Sequence, residues 1–237
     1  MPRSLLFLGL LGFASLLACA QLQSSDASGQ AAPSGEAYST GQSPSAVTFT
    51  LDFPKSQPEH YAIRIASSGP NHYESKGRLN ADSDVADSFD FDFAISSQTR
   101  STIFALAAKA GYFQTDLDAH RKHVAFSGKK TLRYTSENST GEAVYNYSSN
   151  SAVQELTTLF QNLSATLEFG HRLDYDHRYQ KLALDAELKR MEEMARNNQL
   201  TEGTAIQPIL EQIVADQSVM NMARARAQRL IGSVDHH

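Results

Sequence analysis

The sequence is short of several features that would indicate a particular class of protein. Among 237 residues it has one cysteine, Cys19, so the chain cannot form an internal disulfide bond. Its formal net charge of -5 argues against a general nucleic-acid-binding protein, because such proteins are usually basic. Hydrophobic residues make up 41% and charged residues 20%, which is too apolar a composition for a wholly disordered chain.

The motifs of common enzyme classes are also missing. The chain contains no Gly-x-Ser-x-Gly, no His-Glu-x-x-His and no Gly-x-x-x-x-Gly-Lys-Ser/Thr motif. Ser127-Gly128-Lys129-Lys130 fits the Ser-x-x-Lys pattern of penicillin-binding enzymes, but this pattern is common by chance. Here it precedes a predicted strand instead of starting a helix, and neither Ser-Asp-Asn nor Lys-Thr-Gly follows it. The sequence therefore predicts no enzyme of these classes, no catalytic residue and no cofactor.

Residues 1–18 have the pattern of an export signal. Arg3 supplies a short basic start, and the apolar stretch from Leu5 to Ala18 is shorter than a bilayer-spanning segment needs. Leu16-Leu17-Ala18-Cys19 resembles the lipobox of bacterial lipoproteins, in which the bond before the cysteine is cleaved. The resemblance implies that Cys19 carries palmitate-type acyl chains that anchor the mature protein to a membrane. An ordinary signal peptide with a chance cysteine is the alternative.

Residues 19–45 are predicted to be a disordered tether. Ser, Gly, Ala, Gln and Pro dominate this stretch, which contains no Lys or Arg. It therefore cannot bury enough apolar surface to offset the entropy lost on ordering. A flexible linker of this length reaches about 30 Å. Because Ala20, and not aspartate, follows the cysteine, the lipoprotein resemblance implies the outer membrane or the periplasmic face of the cell envelope.

Beyond residue 46 the hydrophobic pattern predicts strands and helices. The clearest strand, Phe89 to Ile95, places its phenylalanines on one face and its aspartates on the other. A first helix follows Ser96 or Ser97, which can cap its amides, and a second spans Ser151 to Phe169. Residues 46–169 are therefore predicted to form an α+β domain with an antiparallel sheet and two helices. The other predicted strands are Val47–Phe53, Tyr61–Ile65, His72–Lys76, Lys130–Thr135 and Glu142–Tyr147.

Residues 170–237 are predicted to form an all-helical segment. A long amphipathic helix over 173–198 is predicted, and Gly170 allows it to continue from the preceding helix. A helical pair over 204–214 and 217–231 follows, which resembles one unit of a HEAT-type solenoid. Because a single such unit cannot bury its own apolar face, packing of the pair on the long helix is the favoured interpretation.

Several short segments together resemble exported bacterial proteins. A tyrosine-bearing hairpin, Ile95-Ser96, a helix, Gly111-Tyr112-Phe113 and a second hairpin and helix resemble a small exported α+β domain of unknown function. With Leu167-Glu168-Phe169-Gly170 and the run from Ala186 to Met191, the chain resembles uncharacterised lipoproteins of acidobacterial type. The shared residues are turns, caps and core positions. The resemblance therefore implies an exported α+β fold and no particular activity.

Five aspartates close together raise the question of a calcium site. They are Asp82, Asp84, Asp87, Asp90 and Asp92. An EF-hand loop starting at Asp82 needs a glycine at its sixth position and a glutamate at its twelfth, where this chain has Asp87 and Phe93. Asp90 and Asp92 are better explained as the solvent face of a strand.

Two groups of His and Asp residues suggest metal ligands. Their members are Asp116, Asp118, His120 and His123 in one group, and His171, Asp174, Asp176 and His177 in the other. The histidines His120 and His123 would share one face if this stretch were helical, and imidazole suits zinc or copper. Neither group reproduces a known ligand signature. The favoured interpretation is exposed polar residues, and no metal ligand is predicted.

One basic cluster stands out from the rest of the chain. Its members are Arg121, Lys122, Lys129, Lys130 and Arg133, with His120 and His123 beside them. Such a cluster can contact acidic lipid headgroups or cell-wall polymers. The favoured interpretation is a solvated flank of a hairpin.

Together these features predict a lipid-anchored extracytoplasmic protein, namely a non-enzymatic binding or envelope-structural module. The predicted partners are the membrane, through the lipid on Cys19, and an envelope protein or cell-wall polymer, without nucleic acid. The alternative is a metal-binding protein or metal-assisted hydrolase that uses the His/Asp groups. No particular oligomeric state is favoured.

Overall fold

The computed structural model describes residues 44–54, 56–78 and 85–234. The predicted export signal, the acylation of Cys19 and nearly all of the predicted tether lie outside the described residues. So do Asp82 and Asp84 of the calcium hypothesis.

Six strands form one antiparallel sheet in the order β4-β3-β2-β1-β5-β6. Their bounds are Ala46–Asp52 for β1, His60–Ala66 for β2, Asn71–Arg78 for β3, Ala86–Phe93 for β4, Lys129–Thr135 for β5 and Thr140–Tyr145 for β6. The first four strands are joined as a meander, and β5 returns to pair with β1 on its other side. The predicted α+β class and antiparallel sheet are confirmed.

Five α-helices accompany the sheet within the described residues. They are α1 at Ser97–Lys109, α2 at Ser151–Tyr179, α3 at Leu184–Arg196, α4 at Gln207–Ala215 and α5 at Asn221–Val234. The side chain of Ser96 accepts the amide of Thr99 and caps α1, as predicted, and Asn150 caps α2 in the same way. Among the described residues no helix is both long enough and apolar enough to cross a membrane.

One face of the sheet is buried under α1 and the first half of α2. Side chains at alternate positions of the strands, such as Phe49 and Ile63, meet Ile103 of α1 and Phe160 of α2 in one apolar core. The opposite face carries polar side chains, where His72 contacts Asp92 on the neighbouring strand at 2.9 Å. The predicted faces of β4 are confirmed. Because β4 is an edge strand, however, Phe89 and Phe91 are only half-buried.

A second apolar core lies among the helices. It is formed by the second half of α2, from Phe169 onwards, together with α3, α4, α5 and the 3-10 turn at 203–206. The helix α2 therefore contributes to both cores.

The prediction that residues 46–169 form a separate domain with a sheet and two helices is not matched. Most helical residues follow the sheet in the chain, and α2 contributes to both cores. The second helix does not end at Phe169, since α2 continues through Gly170 to Tyr179. The predicted domain boundary therefore falls inside α2. A Cβ atom at Gly170 would lie 2.5 Å from Cγ2 of Ile206, so the glycine allows close packing here instead of ending the helix. The predicted helix over 173–198 is divided, since α3 begins only at Leu184.

Candidate functional site

The first predicted metal group lies in a segment without helix or strand. His120 and His123 have left-handed backbone angles, with φ of 47° and 72°, so the prediction of a shared helical face is wrong. Nε2 of His120 lies 2.7 Å from Oδ2 of Asp116, and this contact raises the pKa of the exposed imidazole. The carboxylate of Asp118 accepts the backbone amides of Asn146 and His120, and these two hydrogen bonds lower its pKa. The group is a hydrogen-bonded turn at the surface.

The second predicted metal group is dispersed along α2. Nε2 of His171 lies 2.9 Å from Oδ2 of Asp87, and Nε2 of His177 lies 3.0 Å from Oδ2 of Asp216. Asp174 pairs with Arg178 one turn along the helix. These three side chains have different partners because residues at different positions around a helix face different directions.

Two of the described aspartates of the calcium hypothesis also have separate partners. Asp87 contacts His171, whereas Asp92 contacts His72 on the open face of the sheet. Across residues 44–54, 56–78 and 85–234, no group of three or more His, Cys, Asp or Glu side chains lies close enough to hold a metal ion.

A polar cluster that sequence reasoning missed lies inside the sheet core. The hydroxyl of Tyr73 on β3 donates to Oε1 of Glu168 at 2.6 Å and lies 3.0 Å from Oγ of Ser164. Tyr73 is fully buried and Glu168 is 8% exposed. Burial, and then the charge of Glu168, raises the pKa of Tyr73 well above its ordinary value. The cluster borders a cavity of about 10 Å³, so it has room for no more than a water molecule.

The described chain has a larger concave surface, which we call the Glu202 groove. It has a volume of about 410 Å³ and lies between the start of α1, the helices α3 and α5, and the segment over 198–204. Its apolar lining comes from Met191, Ala195, Leu200 and Leu230, and its polar lining includes Ser96, Thr99, Glu202 and Ser233. A more open hollow of about 560 Å³ adjoins it and is lined by Phe91, Phe93 and Ile95 at the end of β4. Ser96 and Thr204 line both.

The carboxylate of Glu202 closes one side of this groove. Its two oxygens accept the amide of Ser96 at 2.9 Å and the hydroxyl of Ser96 at 2.7 Å. A carboxylate is favourable beside the first turn of a helix, where amides are unpaired and the helix dipole is positive. Glu202 itself has a left-handed backbone, with φ of 58°. Because Ser96 and Glu202 are far apart in sequence, no local pattern indicates this contact.

The Ser-x-x-Lys pattern brings its two side chains together. Nζ of Lys130 lies 2.9 Å from Oγ of Ser127 and 3.0 to 3.4 Å from the carbonyl oxygens of Ser127, Gly128 and Asn146. Lys130 is 5% exposed, and burial lowers its pKa. Sequence reasoning set this pair aside because the pattern precedes a strand, and the structure confirms that position.

The predicted basic cluster is divided by the sheet. Lys130 lies on the buried face of β5, whereas Arg133 pairs with Glu142 on the open face. The guanidinium of Arg121 lies 5.4 Å from the ring centre of Tyr147. The cluster therefore does not form one continuous basic surface.

Comparison with protein-family models, with curated proteins and with solved structures finds no match to this chain. The evidence for the candidate site is therefore the geometry of the described residues alone.

Proposed function

We propose that this protein is a lipid-anchored extracytoplasmic binding module that holds a small amphipathic molecule in the Glu202 groove. The cellular location is inferred from the lipobox-like sequence that ends at Cys19 and from the predicted tether after it. The resemblance to uncharacterised exported lipoproteins agrees with this location. In this proposal the groove lies where the predicted sheet domain, residues 46–169, meets the predicted helical segment, residues 170–237.

The observation that carries the binding proposal is the composition of the groove wall. Ligand sites are concave, have volumes of roughly 300 to 1,000 Å³ and combine an apolar lining with a few polar groups. The groove has this combination, because its lining contains the apolar group Met191, Ala195 and Leu200 as well as the polar Ser96–Glu202 pair. An amphipathic ligand would place its apolar part on the former and its polar part on the latter.

The metal-binding alternative has less support. His120, His171 and His177 each have a carboxylate partner of their own, and no three ligating side chains converge among the described residues. We therefore propose no metal-dependent activity.

Filling the groove tests the binding proposal. We expect the uncharged environment-sensitive dye Nile red to bind the folded chain and Ala195→Leu to weaken its binding about tenfold, or 1.4 kcal/mol. Fluorescence titration measures the affinity. Ala186→Leu is the matched control, because Ala186 lies on the same helix but is exposed. Equal affinities of the two variants would contradict a site in this groove.

The anchor is tested separately. We expect Cys19→Ala to leave the protein uncleaved or to release it from the membrane fraction, while dye binding stays unchanged. Mass spectrometry of the native chain should find acyl chains on Cys19. An unacylated mature N-terminus at another residue would disprove the anchor without affecting the groove.

A further inference from the structure

The contact between Ser127 and Lys130 is made by a turn that only glycine permits. Gly128 has a φ of 99°, in the left-handed region that disfavours residues with a side chain. A Cβ atom there would also lie 2.7 Å from Cδ1 of Leu51 and 2.9 Å from Cβ of Phe53. The chain therefore turns sharply at Gly128 and brings the hydroxyl of Ser127 to the amine of Lys130 at the start of β5.

The surroundings of Lys130 differ from those of an ordinary surface lysine. Its side chain lies between Leu51 on β1 and Tyr145 on β6 in the register of the sheet. Among the described residues its hydrogen-bond partners are carbonyl oxygens and the hydroxyl of Ser127, without a carboxylate. Burial without a counter-ion disfavours the charged ammonium, which is the usual way in which a lysine becomes a base near neutral pH.

The hydrogen-bond geometry accommodates the neutral amine. A neutral amine has two N–H donors and one lone pair. The carbonyl oxygens of Asn146 and Ser127, at 3.0 and 3.2 Å, can accept these two donors, whereas the carbonyl oxygen of Gly128 lies farther away at 3.4 Å. The lone pair can then accept the hydroxyl of Ser127 at 2.9 Å, in place of the longer contact of 3.4 Å from that hydroxyl to Oδ1 of Asn146. Ser127 is exposed, so its oxygen is accessible to a substrate.

We propose that Ser127 is a nucleophile for acyl transfer and that Lys130 is its general base. Serine–lysine pairs serve this purpose in unrelated folds. Oγ of Ser127 forms a bond to the acyl carbon of an ester while its proton passes to Nζ of Lys130. The bond from the acyl carbon to the leaving oxygen breaks, and Nζ returns the proton to that oxygen. In the second step the oxygen of water forms a bond to the acyl carbon while Nζ takes a proton from the water. The bond from the acyl carbon to Oγ breaks and Nζ returns the proton to Oγ, so the products are an alcohol and a carboxylic acid.

The residues beside Ser127 point to esters of apolar acyl groups. Phe126 is 60% exposed and Val124 is 39% exposed, so two apolar side chains close to Ser127 in sequence face solvent. The ring of Phe126 packs edge-on against Phe53, with 5.8 Å between ring centres. These side chains form an apolar surface next to the nucleophile. An acyl chain covering it would hold its carbonyl carbon near Oγ of Ser127.

Covalent labelling of the purified full chain tests the proposal. We expect an alkyl fluorophosphonate probe to label one residue, and peptide mass spectrometry to identify it as Ser127. The labelling rate should rise with pH and reach a plateau, with a midpoint below 10.5, the ordinary pKa of lysine. Hydrolysis of a p-nitrophenyl ester of a medium-chain fatty acid should show the same pH profile.

Matched variants separate a catalytic from a structural lysine. Ser127→Ala should abolish labelling, whereas Ser101→Ala, at an exposed serine on α1, should leave it unchanged. Lys130→Arg keeps the positive charge and the hydrogen-bond donors but cannot act as a base. It should lower the labelling rate by about 100-fold or more, the usual contribution of a general base. Circular dichroism confirms that each variant is folded.

Three outcomes would overturn the proposal. The first is a folded native chain that the probe does not label at Ser127, and the second is a folded Lys130→Arg variant that reacts at the native rate. The third is a labelling rate of the native chain that stays proportional to hydroxide concentration without a plateau, because this excludes an amine base. The third test applies even if Lys130→Arg does not fold. None of these outcomes affects dye binding in the Glu202 groove, so the two proposals can fail independently.

Discussion

At the scale of single residues, the buried carboxylate of Glu168 depends on its hydrogen-bond donors. Tyr73→Phe removes the hydroxyl that donates to Glu168 at 2.6 Å while leaving the ring in place. We expect a loss of about 1.5–3 kcal/mol in the free energy of unfolding, the usual value for a hydrogen bond to a charged group. Urea denaturation followed by circular dichroism measures it.

The matched control for this prediction is Tyr179→Phe, at a tyrosine that is 71% exposed and should cost little. In a Glu168→Gln background, Tyr73→Phe should cost less, because the charged acceptor is gone. Equal losses for the two tyrosine variants would show that the buried hydrogen bond contributes nothing.

Another single residue, Asp176, should make stability depend on pH. Burial, and then the negative charge of Glu187, raises the pKa of Asp176 to about 6 from 3.8, while Arg172 opposes this rise. The folded chain therefore binds this proton more tightly than the unfolded chain. The resulting stabilisation is fully present below about pH 4 and is lost as the pH rises through 6.

Asp176→Asn should remove this loss. We expect a gain of about 1 kcal/mol in the free energy of unfolding at pH 7. This gain is smaller than the full difference in pKa between the folded and unfolded chain would give, because solvent partly screens the charge of Asp176. No gain is expected at pH 4. Denaturant unfolding at both values measures the difference, with Asp174→Asn on the same helix as the control. A gain that is the same at pH 4 and pH 7 would exclude this explanation.

At the scale of elements, the continuity of α2 depends on the packing at Gly170. Replacing a helical glycine by alanine ordinarily stabilises a helix by up to about 1 kcal/mol. At Gly170 the new methyl would collide with Ile206, so we expect Gly170→Ala to destabilise the protein by about 1–3 kcal/mol. Gly232→Ala in α5 is the control, since nothing lies within 4 Å of the new Cβ and the ordinary gain is expected. Thermal unfolding of both variants should give shifts of opposite sign, and a gain for both would mean that Ile206 moves away freely.

At the scale of the whole molecule, the two cores should unfold together. The helix α2 supplies Leu163 and Leu167 to the sheet core and Phe169 and Leu173 to the helical core. If either core unfolded, α2 would lose part of its buried surface, and the loss would weaken its packing in the other core. We expect residues 44–234 to unfold in one transition, with coincident curves for far-ultraviolet circular dichroism and tyrosine fluorescence. Two separate transitions would indicate independent domains joined by α2.

The sequence by itself determined the local structure of this protein. The alternation predicted from Phe89 holds as far as Phe93, where β4 ends two residues before the predicted end at Ile95. Ser96 caps α1, as predicted. Such patterns are reliable because backbone geometry places neighbouring residues on defined faces whatever the rest of the chain does. The same local reasoning placed the domain boundary after Phe169 while allowing the helix to continue through Gly170, and it could not decide between the two.

Only the tertiary structure decided the candidate sites. The pairs Tyr73–Glu168 and Ser96–Glu202 are 95 and 106 residues apart, so their contacts depend on how whole elements pack. Gly170 lies inside α2, and Ile206 from another element packs closely against it, so this glycine does not mark a domain boundary. Ser127 and Lys130 are close in sequence, yet their contact requires the turn at Gly128 and the burial that β1 and β6 impose. Sequence spacing fixes which residues can meet locally, whereas burial and distance between remote residues arise from packing of the complete chain.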